Sequence, residues 1–451
     1  MSEEKGSFSG KVGFVLAAAG SAVGLGNIWR FPYLAANQGG GIYILTYVIL
    51  VVFVGFALSL TETALGRRTG KSTLKAFGAL DRKSGWMGVL PALVPAIILP
   101  YYSVVGGWVV KYLGSYLTFN GAELISDSFF GSFISSPYSP LIGFALFFVV
   151  TSVIVSFGVQ KGIEKASRFM MPILVVLCIG VAIYTLTLPG AMEGMKYLFV
   201  PNFSQFSFKT LFSAMSQMFY SLSLAMGIMV TYGTYMKKDV KMDTAIAQVA
   251  VFDTAIAILA AVMVVPGVFV FSGGNPEALN KGAGLMFVTL PKVFASIPGG
   301  DFVGILFFVL VLFAALTSSI SLMEAIISEL MEIKQMSRRK ACVIVSIYSL
   351  ALGSLASLGF GPLSFIKLVG FTIFDFMDFA SNNVMMPVAA LIICIFTAWI
   401  IKPETFIDEV KLSSTFKVQK IYSVVIKYVA PVLILLVLIT SVMEGLGLIS
   451  Y

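Results

Sequence analysis

The residues best equipped for chemistry lie where charge is costly. Arg30, Glu62, Asp253, Glu324, Asp375 and Asp378 all fall inside long apolar runs. A charge at mid-bilayer costs at least about 2.5–3.5 kcal/mol, so each must pair with a neighbour or serve a function. Two further stretches combine polar groups with pliable backbone. Residues 18–27 read Ala-Ala-Gly-Ser-Ala-Val-Gly-Leu-Gly-Asn, and residues 217–227 read Gln-Met-Phe-Tyr-Ser-Leu-Ser-Leu-Ala-Met-Gly. Glycine destabilises a helix interior by about 0.8–1 kcal/mol relative to alanine, so Gly20, Gly24 and Gly26 invite the first stretch to unwind. Unwound backbone at membrane depth survives only where it lines a cavity or is satisfied by a ligand. Its freed carbonyls suit a hard cation such as Na⁺, and the amide ends of half-helices suit a carboxylate. The competing reading of the glycines is close helix packing, and of the charges, pairing that merely holds the bundle.

The elements that must position these residues follow from composition. Of 451 residues, 58% are hydrophobic and 12% charged, against about 25% charged in a soluble domain. A crossing needs about 20 apolar residues. Eleven candidate spans appear, at 12–36, 42–66, 88–118, 139–158, 167–187, 210–236, 243–271, 302–332, 339–358, 363–401 and 423–448. The tenth is long and interrupted by polar residues, and is taken as one broken or tilted element. The first apolar run leads into Asn27-Ile-Trp-Arg-Phe-Pro rather than a small-residue cleavage site, so no cleavable signal peptide is expected. The chain has no histidine, which removes imidazole relays, most zinc sites and every Ser-His or Cys-His nucleophile. Cys178, Cys342 and Cys394 stand far apart and read as packing residues, with no disulfide framework or metal cluster.

Charge asymmetry orients the spans. With residues 1–10 as a cytoplasmic tail, 22 of the 30 basic residues fall on inner segments, most in clusters at 67–83, 161–168, 237–241 and 334–340. Lys196, Lys209, Lys281 and Lys292 fall outside. Eleven spans then place Tyr451 outside. The net charge of +8 is thus a topology signal rather than a nucleic-acid footprint. The two pliable stretches lie five spans apart, which makes 11–187 and 210–401 halves of opposite orientation, with 402–451 a loop and a final helix.

Gly20-Ser-Ala-Val-Gly-Leu-Gly-Asn-Ile-Trp-Arg-Phe-Pro32, followed by Gly39-Gly-Gly41, resembles the first helix of the neurotransmitter:sodium symporter family. Glu62-Thr-Ala-Leu-Gly66, Tyr101-Tyr102, Ser221-Leu-Ser-Leu, Leu316-Thr-Ser-Ser319 and Asp375-Phe-Met-Asp378 resemble its later segments, in order. The likeness is to the bacterial amino-acid transporter branch with a leucine-transporter-like fold, in its eleven-span subgroup. It implies an all-α membrane protein of about 11 transmembrane helices. These would form a 5+5 inverted repeat with helices 1 and 6 broken, plus an additional helix 11.

The resemblance also implies roles. One Na⁺ would bind the Ala22 carbonyl, Asn27, Ser221, Asp253 and the substrate carboxylate. A second would bind the carbonyls of Gly20, Val23 and Ala314 with the hydroxyls of Thr317 and Ser318. Substrate would sit between the broken helices, with Ala22 and Ser221 at its shared edge with the first ion. Its carboxylate would lie near Leu25, Gly26 and Tyr102, and its side chain near Ile98, Phe219, Ser223, Met226, Ser319 and Leu322. Arg30 and Asp378 would close the outer side, with Tyr102 and Phe219 as a lid. Lys5 and Glu332 would close the inner side, with Phe8 and Tyr235 nearby. Glu62 and Pro172 would give support, Pro172 with Gly162 easing an unwinding of the fifth span; an ordinary proline kink is the alternative.

Two departures narrow the expectation. Gly24 stands where monoamine transporters resemble one another in having aspartate, so the negative charge must arrive on the substrate. Asp253 stands where chloride-dependent relatives have asparagine, so chloride is not expected. The pocket residues are apolar with two hydroxyls, and Met226 can yield to a bulky ring. The reading is a sodium-coupled symporter importing hydrophobic or aromatic L-amino acids across a bacterial inner membrane. It is not an enzyme, uses Na⁺ but no organic cofactor, and has an amino acid and the lipid bilayer as partners, with no nucleic acid. A sodium-independent exchanger and a non-transporting amino-acid sensor on the same fold are the alternatives. Nothing in the spans sets an oligomeric state.

Overall fold

The computed structural model describes residues 6–272 and 283–445, and among these the chain is helical with two isolated β-bridges and no strand. In chain order, α1 (Lys11–Ala22) and α2 (Gly26–Asn37) precede α3 (Gly41–Thr69), α4 (Arg82–Leu117), α5 (Ser139–Ser156) and α6 (Val159–Leu186). Then come α7 (Phe208–Ser221) and α8 (Ile228–Tyr235). They are followed by α9 (Met242–Phe271), α10 (Gly300–Lys334), α11 (Arg338–Leu358), α12 (Ile373–Ile400), α13 (Pro403–Lys411) and α14 (Gln419–Met443). Among the described residues, nine helices are long and apolar enough to cross a bilayer unaided, and α1 with α2, bent by 56°, makes a tenth crossing. Each of α7 and α8 is too short to cross alone, so a count of eleven rests on reading them as one broken crossing.

Lipid-facing surfaces are legible on the outer helices. On α5, Ile142, Leu146, Val149 and Val153 are all about half exposed or more, at the three-to-four-residue spacing of one helix face. Val432, Leu435, Leu436 and Ile439 do the same on α14. Apolar faces this open are stable against hydrocarbon rather than water.

The tenth span differs from the sequence reading. Residues 359–372 form turns rather than helix, with Val369 and Gly370 at φ 53° and 88°, and α12 begins only at Ile373. Gly361-Pro362 and Gly370 supply the breakers. From Ile373 the helix runs on through Pro387 without a break. A π turn over Phe379–Met385 lies directly before the proline, so the hydrogen-bond ladder has already slipped where Pro387 lacks its donor.

The breaks in the first and sixth elements are real and differ in kind. The first is short, Val23-Gly24-Leu25 between α1 and α2. The sixth covers residues 222–227, with Ser223, Ala225 and Gly227 at φ 53°, 60° and 69°. Left-handed backbone costs about 1–2 kcal/mol at a non-glycine residue, so surrounding contacts must hold it. Glu62, buried in α3, accepts a 2.7 Å hydrogen bond from Ala225 N, and Thr73 Oγ1 donates to Gly227 O at 3.2 Å.

Where α3 passes α8, the backbones touch. A Cβ on Gly66 would lie 1.8 Å from Val230 O, and one on Gly233 would lie 2.3 Å from Thr63 O. Gly66→Ala must therefore push two helices apart, whereas Gly114→Ala in α4 enters open space. Overpacking costs about 1–3 kcal/mol. In thermal melts of the detergent-solubilised protein, Gly66→Ala is expected to lower Tm by several degrees and Gly114→Ala to leave it unchanged or slightly raised; equal melts would remove this contact from the account.

Candidate ion and substrate site

The first break is pinned from within. Asn27 Oδ1 accepts from Gly24 N at 3.0 Å, and Leu25 N donates to Tyr102 OH at 3.4 Å. Asn27 Nδ2 then reaches across to Ser221 Oγ (3.0 Å) and Asp253 Oδ1 (2.7 Å). Ser221 Oγ lies 2.9 Å from both carboxylate oxygens of Asp253, and Tyr47 OH donates to Oδ2 at 3.1 Å. Asn27 and Asp253 are fully buried. Thus four elements, α2, α3, α7 and α9, converge on one carboxylate. Among the described residues no lysine or arginine forms an ion pair with it. A buried carboxylate surrounded only by neutral donors and acceptors is a natural seat for a small cation.

A second set of oxygens gathers where α1 meets α10. Ser318 Oγ donates to Ser21 O (3.1 Å) and stands 3.5 Å from Val23 O. Thr317 Oγ1 donates to Phe313 O and Ala314 O at 3.0 and 3.1 Å. A Cβ on Gly20 would come within 3.3 Å of the Thr317 Cβ. Gly20, Val23, Ala314, Thr317 and Ser318 are therefore neighbours, and all their candidate donors are neutral oxygens.

Between these sets lies a small cavity of ≈ 30 Å³. Of the expected substrate contacts, Ala22, Gly26, Ile98, Tyr102, Ser223, Met226 and Leu322 line it. Ser21, Gly24, Asn27, Tyr220, Ile228 and Ser318 line it too. Leu25 meets the site through its backbone, and Ser221 faces Asp253. Ser319 turns away, bonded to Thr151 on α5 at 2.7 Å. Phe219 is buried but does not reach the cavity.

The aromatic ring over the first break is that of Tyr220 rather than Phe219, and it lies against Gly26 so closely that a Cβ there would sit 2.4 Å away. On a helix, residues one and two positions before Ser221 differ by about 100° in direction. Only the nearer one stays over the break. Gln217, three residues before Tyr220, marks that face by donating to Gly26 O at 3.0 Å, and this spacing was the signal available in the sequence.

The residues expected to form an outer gate are also arranged otherwise. Arg30 does not pair directly with Asp378. Its Nη2 donates to Ser216 Oγ at 2.9 Å, and its guanidinium lies 5.8 Å over the Tyr220 ring. Asp378 accepts from Asn382 Nδ2 (2.7 Å), which also reaches Tyr101 OH (3.1 Å). Ser216 and Tyr220 lie one turn apart on α7, so helical spacing captures the arginine before helix α12 can. Asp375 is engaged by Thr372 at its helix start.

On the inner side, Lys5 lies outside the described residues. Its expected partner, Glu332, accepts from Ser72 N (2.7 Å) and stands 3.6 Å from Lys71. Phe8 is buried edge-on against Phe14, Tyr232 and Tyr235. Tyr235 OH donates to Glu324, which Arg338 grips with two bonds of 2.6 and 2.8 Å. Glu324 is thus a paired structural charge. Gly162 lies in a π turn, Val159–Glu164, and Pro172 inside the helix that follows.

The chain matches the sodium:neurotransmitter symporter family over residues 5–123 and 133–448. It belongs to that family. A relative in Bacillus subtilis, the uncharacterized sodium-dependent transporter YhdH, is 35% identical over 464 residues, covering 100% of both chains. The crystal structure of MhsT in complex with L-phenylalanine superposes with a TM-score of 0.87 at 38% identity, over 97% of this chain and 100% of that one. The human sodium- and chloride-dependent GABA transporter 2 is 23% identical over 460 residues, 90% of this chain and 75% of its own. The protein is accordingly a multi-pass, sodium-dependent membrane transporter of a small molecule and not an enzyme.

Gly24 offers a test of the site that needs no substrate. A Cβ there would lie 2.6 Å from Ser318 Oγ and 3.1 Å from Tyr102 OH. A ligand that binds only the folded state raises its melting point. The wild-type protein is expected to melt higher in sodium chloride than in potassium chloride at equal ionic strength, and Gly24→Ala to lose most of that difference. A full sodium shift in the variant would show that the two oxygen sets are not ion sites as drawn.

Proposed function

We propose that the protein imports hydrophobic or aromatic L-amino acids, each with two Na⁺ and without chloride. The observation that carries this reading is the buried cluster Asn27–Ser221–Asp253, which no lysine or arginine among the described residues pairs with, set against a cavity with no charged residue among its described lining. A zwitterion brings the carboxylate that an uncharged cavity lacks, and a sodium ion beside Asp253 can share it. The glycine at 24 leaves no room for a fixed carboxylate beside Ser318 and Tyr102, as a monoamine would need. Ile98, Met226, Ile228 and Leu322 form an apolar wall, which suits an apolar side chain, and the MhsT complex with L-phenylalanine is a related case. In the chloride-free reading, Asp253 supplies the negative charge that chloride brings elsewhere.

Two ions descending a 100 mV potential supply about 4.6 kcal/mol, at about 2.3 kcal/mol each. At about 1.4 kcal/mol per tenfold, that concentrates substrate roughly a thousand-fold. The orientation follows the basic residues: the N-terminal tail lies in the cytoplasm, and substrate enters past Arg30 and Tyr220 and leaves past Phe8. The two repeats, 11–187 and 210–401, would then rock about the broken helices in a bacterial inner membrane.

Uptake of labelled L-phenylalanine into proteoliposomes, with sodium, proton and chloride gradients imposed separately, tests the reading. Sodium-driven, chloride-indifferent accumulation is expected, and it should be abolished in Thr317→Ala/Ser318→Ala. Accumulation in that double variant equal to wild type would refute symport through the second ion site; a chloride requirement would refute the role given to Asp253.

A further inference from the structure

The segment that follows α8 is held from two sides. On one side it meets the N-terminal tail: Lys237 Nζ donates to Ser9 O (3.1 Å), next to Phe8, whose N donates to Tyr235 O at the end of α8 (3.0 Å). The Phe8 ring, 1% exposed, fills the space between Tyr232 and Tyr235. On the other side the segment is gripped by a buried ionic node beneath α3.

At the centre of the node is Arg67, in the last turn of α3, with its side chain 1% exposed. Its Nε donates to Glu409 Oε1 (2.8 Å), its Nη2 to Glu409 O, and its Nη1 to Val240 O (3.0 Å) and Ser413 Oγ (3.3 Å). Lys238 Nζ joins Glu409 Oε1 (2.7 Å) and Arg67 O (2.9 Å). Glu409 belongs to α13, off the ion and substrate path, and is itself 3% exposed. A buried ion pair tolerates displacement poorly, because parting it strands a charge in low dielectric. Residues 236–240 are therefore a beam, bolted to α3 and α13 at one end and bearing the tail at the other.

We propose that Glu409 is a positioning residue for the inner closure: through Arg67 and Lys238 it holds residues 236–240 where they can retain the Phe8 tail. Weakening the node lets the beam shift, and the tail then leaves its seat more often. The effect on transport rests on the rocking of the two repeats proposed above. The opening itself does not, and is measured apart from it.

The native cysteines, Cys178, Cys342 and Cys394, are all buried, so a Ser7→Cys substitution reports the tail. Alkylation of that cysteine by a maleimide, in the full-length protein in detergent, reads its release. Glu409→Gln is expected to speed alkylation about tenfold, the factor that 1.4 kcal/mol represents. Lys238→Met, whose side chain is 57% exposed and whose loss strands no buried charge, should speed it less. Asp408→Asn, exposed on the same helix, should alkylate at the wild-type rate. A wild-type rate in folded Glu409→Gln overturns the proposal, as does equal acceleration by Asp408→Asn. If Glu409→Gln cannot be recovered folded, a wild-type rate in Lys238→Met overturns it. In proteoliposomes the same variants should raise apparent KM in the same order as alkylation while the maximal rate stays within about twofold, since apparent affinity falls with the fraction of outward state that is lost. Absent uptake in wild type would count against the transport reading and leave the alkylation result standing.

Discussion

The constraint on which the site depends is a carboxylate taken out of water with no lysine or arginine paired to it among the described residues. Of the other buried or nearly buried carboxylates, three have a guanidinium, while Glu62 and Glu329 accept from the backbone amides of Ala225 and Leu74. Glu324 has Arg338 at 2.6 Å, Glu409 has Arg67 at 2.8 Å, and Glu164 has Arg168 at 2.7 Å. Asp253 has Asn27, Ser221 and Tyr47 instead. Neutral hydrogen bonds offset only part of the desolvation of a charge. Glu62 closes on a single backbone amide, whereas Asp253 gathers side chains from three other elements, so α2, α3, α7 and α9 must meet at one point.

That meeting explains why two helices break, and why they break by different means. In the first, glycine lowers the resistance of the backbone, and Asn27 folds back to hold Gly24 N. In the sixth, Ser223 and Ala225 adopt left-handed backbone that only glycine enters freely. There the stabilisation comes from outside, from Glu62 through the Ala225 amide. A glycine count finds the first break at once. It finds the second only through the serines, because the deciding group lies more than a hundred and fifty residues away in sequence.

The same distinction runs through what the sequence made legible. Charges in apolar runs, Asp253 among them, and the two breaks could be read because each violates a strong rule of membrane burial, whereas the grouping of Asn27, Ser221 and Asp253 came through the family resemblance. Phe219 and Tyr220 could not be separated by type, since both are aromatic and adjacent; only the direction set by helical rotation distinguishes them. Ser319 looked like a second pocket hydroxyl beside Ser223, yet Thr151 on α5 claims it. Arg30 and Asp378 looked like a pair by charge alone, while Ser216 and Tyr220 outcompete the carboxylate for the guanidinium. Residues 363–372 passed for helix on hydropathy, although Gly361-Pro362 and Gly370 mark a turn. The first three misses turn on a partner choice or a direction, quantities that residue type does not carry; in the last, hydropathy outweighed breakers that were present.

Geometry also says which walls of the cavity can part. Ile98 and Tyr102 stand on α4, and Ser318 and Leu322 on α10, both unbroken helices. Helix α4 is locked to α5 by backbone contact, since a Cβ on Gly107 would lie 2.3 Å from Phe144 N and one on Gly143 2.5 Å from Gly107 O. The remaining walls, Ser21 to Asn27 and Tyr220 to Ile228, belong to the broken elements, where the backbone ladder is already interrupted. Displacing them breaks side-chain hydrogen bonds of modest net worth, about 0.5–1.5 kcal/mol each, whereas displacing α4 from α5 disrupts a packed interface. Admission of anything larger than a water molecule therefore falls to α1, α2, α7 and α8. Because Gly66 and Gly233 weld α3 to α8, the inner half of that motion must carry α3 with it.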